Sequence, residues 1–179
     1  DEIQMKGVSL GGNSLMPASE IINIKSLDDV IELGGLGNFS SVNLQKVLAG
    51  KKAILNTGGN KTWSIASALQ DIGIDVVATS VQKATLEDKE ICAQYVKILM
   101  TDPGTQQAQL IDEHNIDILL AGGRSLYTAI KKKVAFVDVN QEKKVSYGAY
   151  AGLVNLAIDV CNAVNNRVFK VVGNPEPWG

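Results

Sequence analysis

Two glycine pairs, each with a cation close behind, are the residues of this chain best suited to chemistry. Gly58-Gly59 is followed by Lys61, and Gly122-Gly123 by Arg124. Each pair ends a short apolar run, AILN in the first case and IDILL in the second, and each opens a helical pattern. Glycine after a strand lets backbone N–H groups come close to a ligand. The free N–H groups of the helix that follows favour an anion. With a cation at each turn, the spacing implies a pocket for a bulky anionic ligand. The competing explanation is that Gly-Gly only serves tight strand-to-helix turns. A third segment joins the same set. From Asn140 through Glu142 and Lys143 to Gly152 the chain is polar and rich in Gly and Tyr, as suits a binding loop.

Other chemistries find little support. GGNKTWS lacks the GxxxxGK[ST] spacing of a phosphate loop, and GGLGNF at 34–39 has neither the third glycine nor a preceding strand. Asp75 comes too early in its strand to hold a ribose. The single His114 falls near the amino end of a strand, away from the glycine turns, so no Ser-His or Cys-His pair forms and no catalytic residue is assigned. There is no CxxC or HExxH, and no metal ligand is assigned within the chain. Cys92 and Cys161 read as half-buried helix cysteines, since a disulfide framework needs more of them. The sequons at Asn38 and Asn60 carry little weight without secretion.

These residues need a scaffold, and the pattern from Lys51 onward supplies one. Apolar runs at 53–56, 74–78, 116–120 and 134–139 read as four strands. Between them lie helical stripes: Trp63, Ala66, Leu69 and Ile72; Ile91, Cys92, Tyr95, Ile98 and Leu99 behind a Thr85 cap; and 106–113. A further helix capped by Ser125 ends in Lys131-Lys132-Lys133, where cations suit the dipole. The longest stripe runs from Tyr150 to Val164. Strand–helix alternation of this kind gives an α/β, Rossmann-like, doubly wound parallel sheet of about four strands. In the order 2-1-3-4, the two glycine turns become neighbours at the switch point, where ligands bind beyond the carboxyl ends of the strands.

Residues 51–179 are therefore expected to form one such domain. Residues 1–50 read as an irregular Gly/Ser-rich extension with one short helix at 26–33, and the Pro-Trp tail as extended. The 179 residues suit one α/β domain. Seventeen Lys+Arg against 19 Asp+Glu give a net charge of −2, which argues against a nucleic-acid surface. No apolar run is long enough for a membrane span. The acidic start, without an apolar stretch or an initiator Met, is expected of a fragment or processed product and not of a secreted precursor.

The runs AILNTGGNKTWSIASALQDIGIDVVAT and DILLAGGRSLYTAIKKKVAFVDVNQEKKVSYGAYAGLVNLA, with the Pro-Trp tail, resemble the nitrogenase component 1 family over about residues 44–179. Within it, the resemblance is to the α-like subunits of the scaffold on which the iron–molybdenum cofactor is assembled. It implies a carboxyl-terminal Rossmann-like domain forming one wall of a cluster site between domains. It implies that Gly58 and Gly59 offer backbone N–H groups to cluster sulfides. Nitrogenase proper carries Arg where Lys61 stands, and a cluster-ligating His where Asn140 stands. An amide binds a soft metal centre far more weakly than an imidazole, which suits a scaffold that must release its cargo. The resemblance also places Arg124 near the segment that meets the organic acid of the mature cofactor.

The cargo so implied is an iron–sulfur cluster or iron–molybdenum cofactor precursor, held by a Cys thiolate outside this chain. The implied partners are a β-like scaffold subunit and proteins that donate and accept the cofactor, in the cytoplasm. Neither Cys92 nor Cys161 matches the cluster ligands of the family. Two alternatives stand beside the scaffold reading: a fragment of a nitrogenase-like oxidoreductase, and a cluster-free anion- or nucleotide-binding module.

Overall fold

A computed structural model describes residues 8–9, 15–16, 47–58, 61–140 and 146–172. The proposed helix at 26–33, the glycine run at 34–39 and the tail from 173 onward lie outside them. Val8–Ser9 and Leu15–Met16 form a short antiparallel pair.

The remainder alternates strand and helix. The strands are β1 (Lys52–Asn56), β2 (Asp75–Ser80), β3 (Ile98–Met100), β4 (Ile118–Ala121) and β5 (Ala135–Asp138). The helices are α1 (Lys61–Asp71), α2 (Leu86–Tyr95), α3 (Pro103–His114), α4 (Leu126–Lys132), α5 (Ala149–Asn165) and α6 (Val168–Val171). A 3-10 turn at Gly123–Ser125 joins β4 to α4. The sheet is parallel throughout, in the order β3-β2-β1-β4-β5. This is the doubly wound arrangement, with β1 and β4 adjacent at the reversal of strand order. Their register pairs Ala53 with Ile118 and Asn56 with Ala121, so both strands end level with each other.

Successive strand residues point to opposite faces, which splits the core in two. Ala53, Leu55, Val76, Ile118 and Leu120 pack with Ile65 and Leu69 of α1 and with Leu156 and Val160 of α5. Ile54, Val77, Leu119 and Met100 pack on the other face with Ile111 of α3 and Ala129 of α4. A sheet covered on both faces explains why its strands read as unbroken apolar runs.

The sheet has five strands where about four were expected. The missing one, β3, was expected to continue the helix behind Thr85. The helix stops at Tyr95 because Val96 turns extended (φ −135°, ψ 134°), and Ile98–Met100 then pairs with β2 at the sheet edge. Thr85 does cap α2: its hydroxyl accepts from Asp88 N at 3.1 Å while Asp88 Oδ2 accepts from Thr85 N at 3.1 Å. Helix α3 starts earlier than expected, at Pro103, a residue suited to a first helical position. Ser125 makes no side-chain cap; its hydroxyl turns to Gln107 instead. No helix among the described residues is long and apolar enough to cross a membrane.

Candidate functional site

The loops that leave the carboxyl ends of β1, β2, β4 and β5 enclose a cleft of about 590 Å³. From β1 come Asn56, Thr57 and Gly58; from β2, Ser80, Gln82 and Lys83. From β4 come Gly122, Gly123, Arg124 and Ser125, and from β5, Asn140. Among the described residues, the lining holds two cations, Lys83 and Arg124, and no carboxylate. The rest of the described lining is amide, hydroxyl or glycine backbone.

Hydrogen bonds fix the floor. The buried Thr57 and Thr62 hydroxyls meet at 2.8 Å, tying the end of β1 to the first turn of α1. Thr79 Oγ1 donates to Leu55 O at 3.0 Å, holding β2 against β1 beneath the cleft. Asn56 Nδ2 donates to Gln107 Oε1 at 2.8 Å. Asp138 Oδ1 accepts from Asn140 N at 2.9 Å, turning the chain as it leaves β5. Asn140 in turn lies against the glycine turn after β4: a Cβ on Gly122 would come within 3.0 Å of its Nδ2.

Neither Gly58 nor Gly122 has a positive φ; among the described glycines that conformation belongs to Gly50 and Gly73. Backbone strain therefore does not require glycine at position 58 or 122. Among the described residues, a Cβ at Gly58 would meet the Lys83 side chain alone, at 3.6 Å. Unobstructed backbone facing the cleft is what glycine provides there.

The cleft thus brings together Gly58, Gly122, Gly123, Arg124 and Asn140 from the residues singled out in the sequence. It does not include Lys61, which starts α1 as an exposed residue outside the lining. Gly59, Glu142 and Lys143 lie outside the described residues. Sequence reasoning missed Ser80, Gln82 and Lys83. The signal was available: they follow the carboxyl end of the second strand, where the same crevice rule applies.

Residues excluded from chemistry sit elsewhere. His114 ends α3, and its carbonyl accepts from Lys52 Nζ at 3.2 Å, at the amino end of the sheet. Asp75 begins β2 and pairs with Lys97 at 3.8 Å. Cys92 and Cys161 are free, buried and carried by α2 and α5. Burial pushes both thiols above their ordinary range; Asp88 adds to the rise at Cys92, and a hydrogen bond from Asn165 partly offsets it at Cys161. Among the described residues, no group of three or more His, Cys, Asp or Glu could hold a metal ion.

Comparison with known proteins follows the geometry. The family described as nitrogenase component 1 type oxidoreductase matches residues 40–165. The nitrogenase iron-molybdenum cofactor biosynthesis protein NifE of Rippkaea orientalis is 39% identical over 135 residues, covering 73% of this chain and 29% of that protein. NifE of Klebsiella pneumoniae is 38% identical over 135 residues, covering 73% and 30%. The chain spans under a third of the length of these relatives. A solved structure of nitrogenase Cp1 at pH 5 superposes with a TM-score of 0.62 at 16% identity, covering 90% of this chain and 37% of that one. At that identity the likeness concerns the fold.

Proposed function

Because this chain belongs to the nitrogenase component 1 type oxidoreductase family, we propose that its cleft is one wall of a scaffold site for an anionic iron–sulfur precursor of the iron–molybdenum cofactor. The cluster is cargo, held and then released. The observation that carries the reading is the described lining: two cations, open glycine backbone, amides and hydroxyls. Such a wall suits the sulfide surface of a cluster anion, which accepts hydrogen bonds and attracts positive charge.

The same lining does not suit the metal ions. Its described residues include no thiolate, imidazole or carboxylate, and Cys92 and Cys161 are buried on α2 and α5, outside it. Iron ligation then falls to a cysteine outside this chain. In that arrangement Gly58 and Gly122 keep the backbone close to the sulfides, Lys83 and Arg124 balance charge, and Asn140 supplies an amide where a stronger ligand would retard release. Names of relatives that specify cofactor biosynthesis support this reading over a catalytic one. A β-like partner subunit, cofactor donor and acceptor proteins, a cytoplasmic setting, and a domain over 51–179 behind an extension over 1–50 belong to the same proposal.

The test is anaerobic loading with an iron–sulfur precursor, read by bound iron and visible absorption. It is run on this chain alone and on the full-length Klebsiella pneumoniae relative with this chain replacing its matching segment. Uptake by the full-length hybrid that falls when Gly58 becomes a larger residue is the expected result. Absence of uptake in both forms would overturn the scaffold reading and leave a cluster-free anion-binding module.

A further inference from the structure

Helix α3 buries two residues one turn apart, Gln107 and Ile111. Ile111 belongs to the apolar core of that face, but Gln107, 3% exposed, is an amide in a row where an apolar side chain would pack. A buried amide costs stability unless its hydrogen bonds are made. Its Oε1 takes two donors, and they come from two different cleft loops. Asn56 Nδ2, at the end of β1, donates at 2.8 Å, and Ser125 Oγ, from the 3-10 turn after β4, donates at 3.4 Å. The carbonyl of Asn56 lies 3.5 Å from Asn140 Nδ2, and Asn140 in turn packs against Gly122. One side chain that lines nothing itself thereby links three segments that line the cleft.

We infer that Gln107 is a positioning residue for the cleft: its carbonyl oxygen sets the separation of the β1 and β4 turns and so the spacing of the groups that meet an anion. That a ligand is what these groups meet rests on the function proposed above; that Gln107 holds the turns does not. The oxygen is suited to the task because its two lone pairs let it accept from both sides at once, which no apolar side chain can do. Removing it leaves the Asn56 amide without its partner in a partly buried position, a loss that mutational series associate with about five- to 100-fold in a local equilibrium.

The experiment separates the two claims. Amide hydrogen exchange is measured across the ligand-free chain in the parent, Gln107→Leu and Gln107→Glu. Binding of tetrathiomolybdate, a sulfide-rich chromophoric anion, is titrated anaerobically for the parent and Gln107→Leu. Gln107→Leu is expected to speed exchange at 56–58 and 122–125 about tenfold, and to weaken tetrathiomolybdate binding by a similar factor. Gln107→Glu keeps the double acceptor and is expected to restore slow exchange. Asn56→Ala removes the donor from the other end and should speed exchange at 122–125 as well, so the inference stays testable if Gln107→Leu does not fold. Unchanged exchange at both turns would overturn the inference. Faster exchange with unchanged binding would reduce Gln107 to a structural residue and overturn it too. Absence of binding by the parent would overturn the anion reading alone, and the exchange data would still decide whether Gln107 holds the turns.

Discussion

Gly58→Ala separates a glycine kept for folding from one kept for a ligand. The residue is exposed and has no positive φ, so alanine can adopt its conformation. Among the described residues, the added methyl would touch only Lys83, at 3.6 Å from Cδ and 3.9 Å from Cβ, which is ordinary contact with a movable side chain. Alanine also narrows the unfolded ensemble, a gain of roughly 0.4–1 kcal/mol at an unstrained site. At about 2–4 °C per kcal/mol for a chain of this size, Tm should rise by about 1–4 °C. In the cleft the same methyl stands between the backbone and an approaching anion. Losing one hydrogen bond to a charged group, worth about 1.5–3 kcal/mol, should raise Kd by about ten- to 100-fold. Thermal melting by circular dichroism gives the first number, and anaerobic titration with tetrathiomolybdate the second. A fall in Tm of more than about 4 °C would mean the glycine is structural. A Kd within twofold of the parent would mean no ligand approaches there. Either result refutes the argument.

Four further outcomes are expected. Gly152→Ala should behave in the opposite way to Gly58→Ala, because its Cβ would sit 2.2 Å from the carbonyl carbon of Tyr147. The rigid backbone must move, at a cost of about 1–3 kcal/mol that exceeds the roughly 1 kcal/mol of helix propensity gained, and a raised Tm would contradict this. Lys83→Gln and Arg124→Gln should each weaken tetrathiomolybdate binding about three- to tenfold at low salt and much less at 0.5 M salt, since both cations are exposed; salt-independent losses would count against a charge role. Asp117→Ala removes the acceptor of both Lys51 Nζ and Lys52 N, each at 2.9 Å, and should cost about 1–2 kcal/mol in urea unfolding, with Asp117→Asn losing less because it can still accept from the backbone. Burial raises the folded-state pKa of both thiols above the unfolded value, so the stability they contribute is complete at neutral pH and is lost as pH climbs through the folded pKa. Alkylation by a small maleimide at pH 8 should therefore be slow until the chain unfolds, and fast labelling of the native chain would refute the burial argument.

The fold was legible because its core strands carry local signals. AILN, DVVATS and ILLA are apolar runs that end in turn residues, and a strand buried on both faces reads that way wherever it lies in the sheet. Strand β3 lacked any such mark. It has three residues, sits at the edge, and continues the spacing of Ile91, Cys92 and Tyr95 into Ile98 and Leu99. The break at Val96 is a change of backbone angle without glycine or proline, and pairing with β2 decides it. That Gly58, Gly122, Gly123 and Arg124 would line one cleft was legible because the switch-point rule converts strand order into position. The identity of the second cation was not. Lys61 is closer to Gly58 in sequence, but α1 begins at that residue and leaves it exposed outside the lining, while the β2 loop carries Lys83 to the Gly58 backbone. Gln107 was beyond reach for the same reason: its partners Asn56 and Ser125 are distant in sequence, and only the parallel register of β1 and β4 makes them neighbours.

A wall of this kind is a weak binder by itself, and that weakness fits a holding role. Two exposed cations contribute about 1 kcal/mol each after screening, and about three backbone and amide hydrogen bonds to a charged ligand about 1.5–3 kcal/mol each. Together they reach about 6–11 kcal/mol, against an association cost of at least about 4 kcal/mol. The surplus corresponds to a dissociation constant between about 10 μM and 10 mM. A single thiolate–iron bond from outside the chain would dominate that total. On the proposed reading, the wall would set orientation and charge compensation while the thiolate would set retention. Breaking one soft bond would free the cargo, since nothing in the described lining offers a second metal ligand.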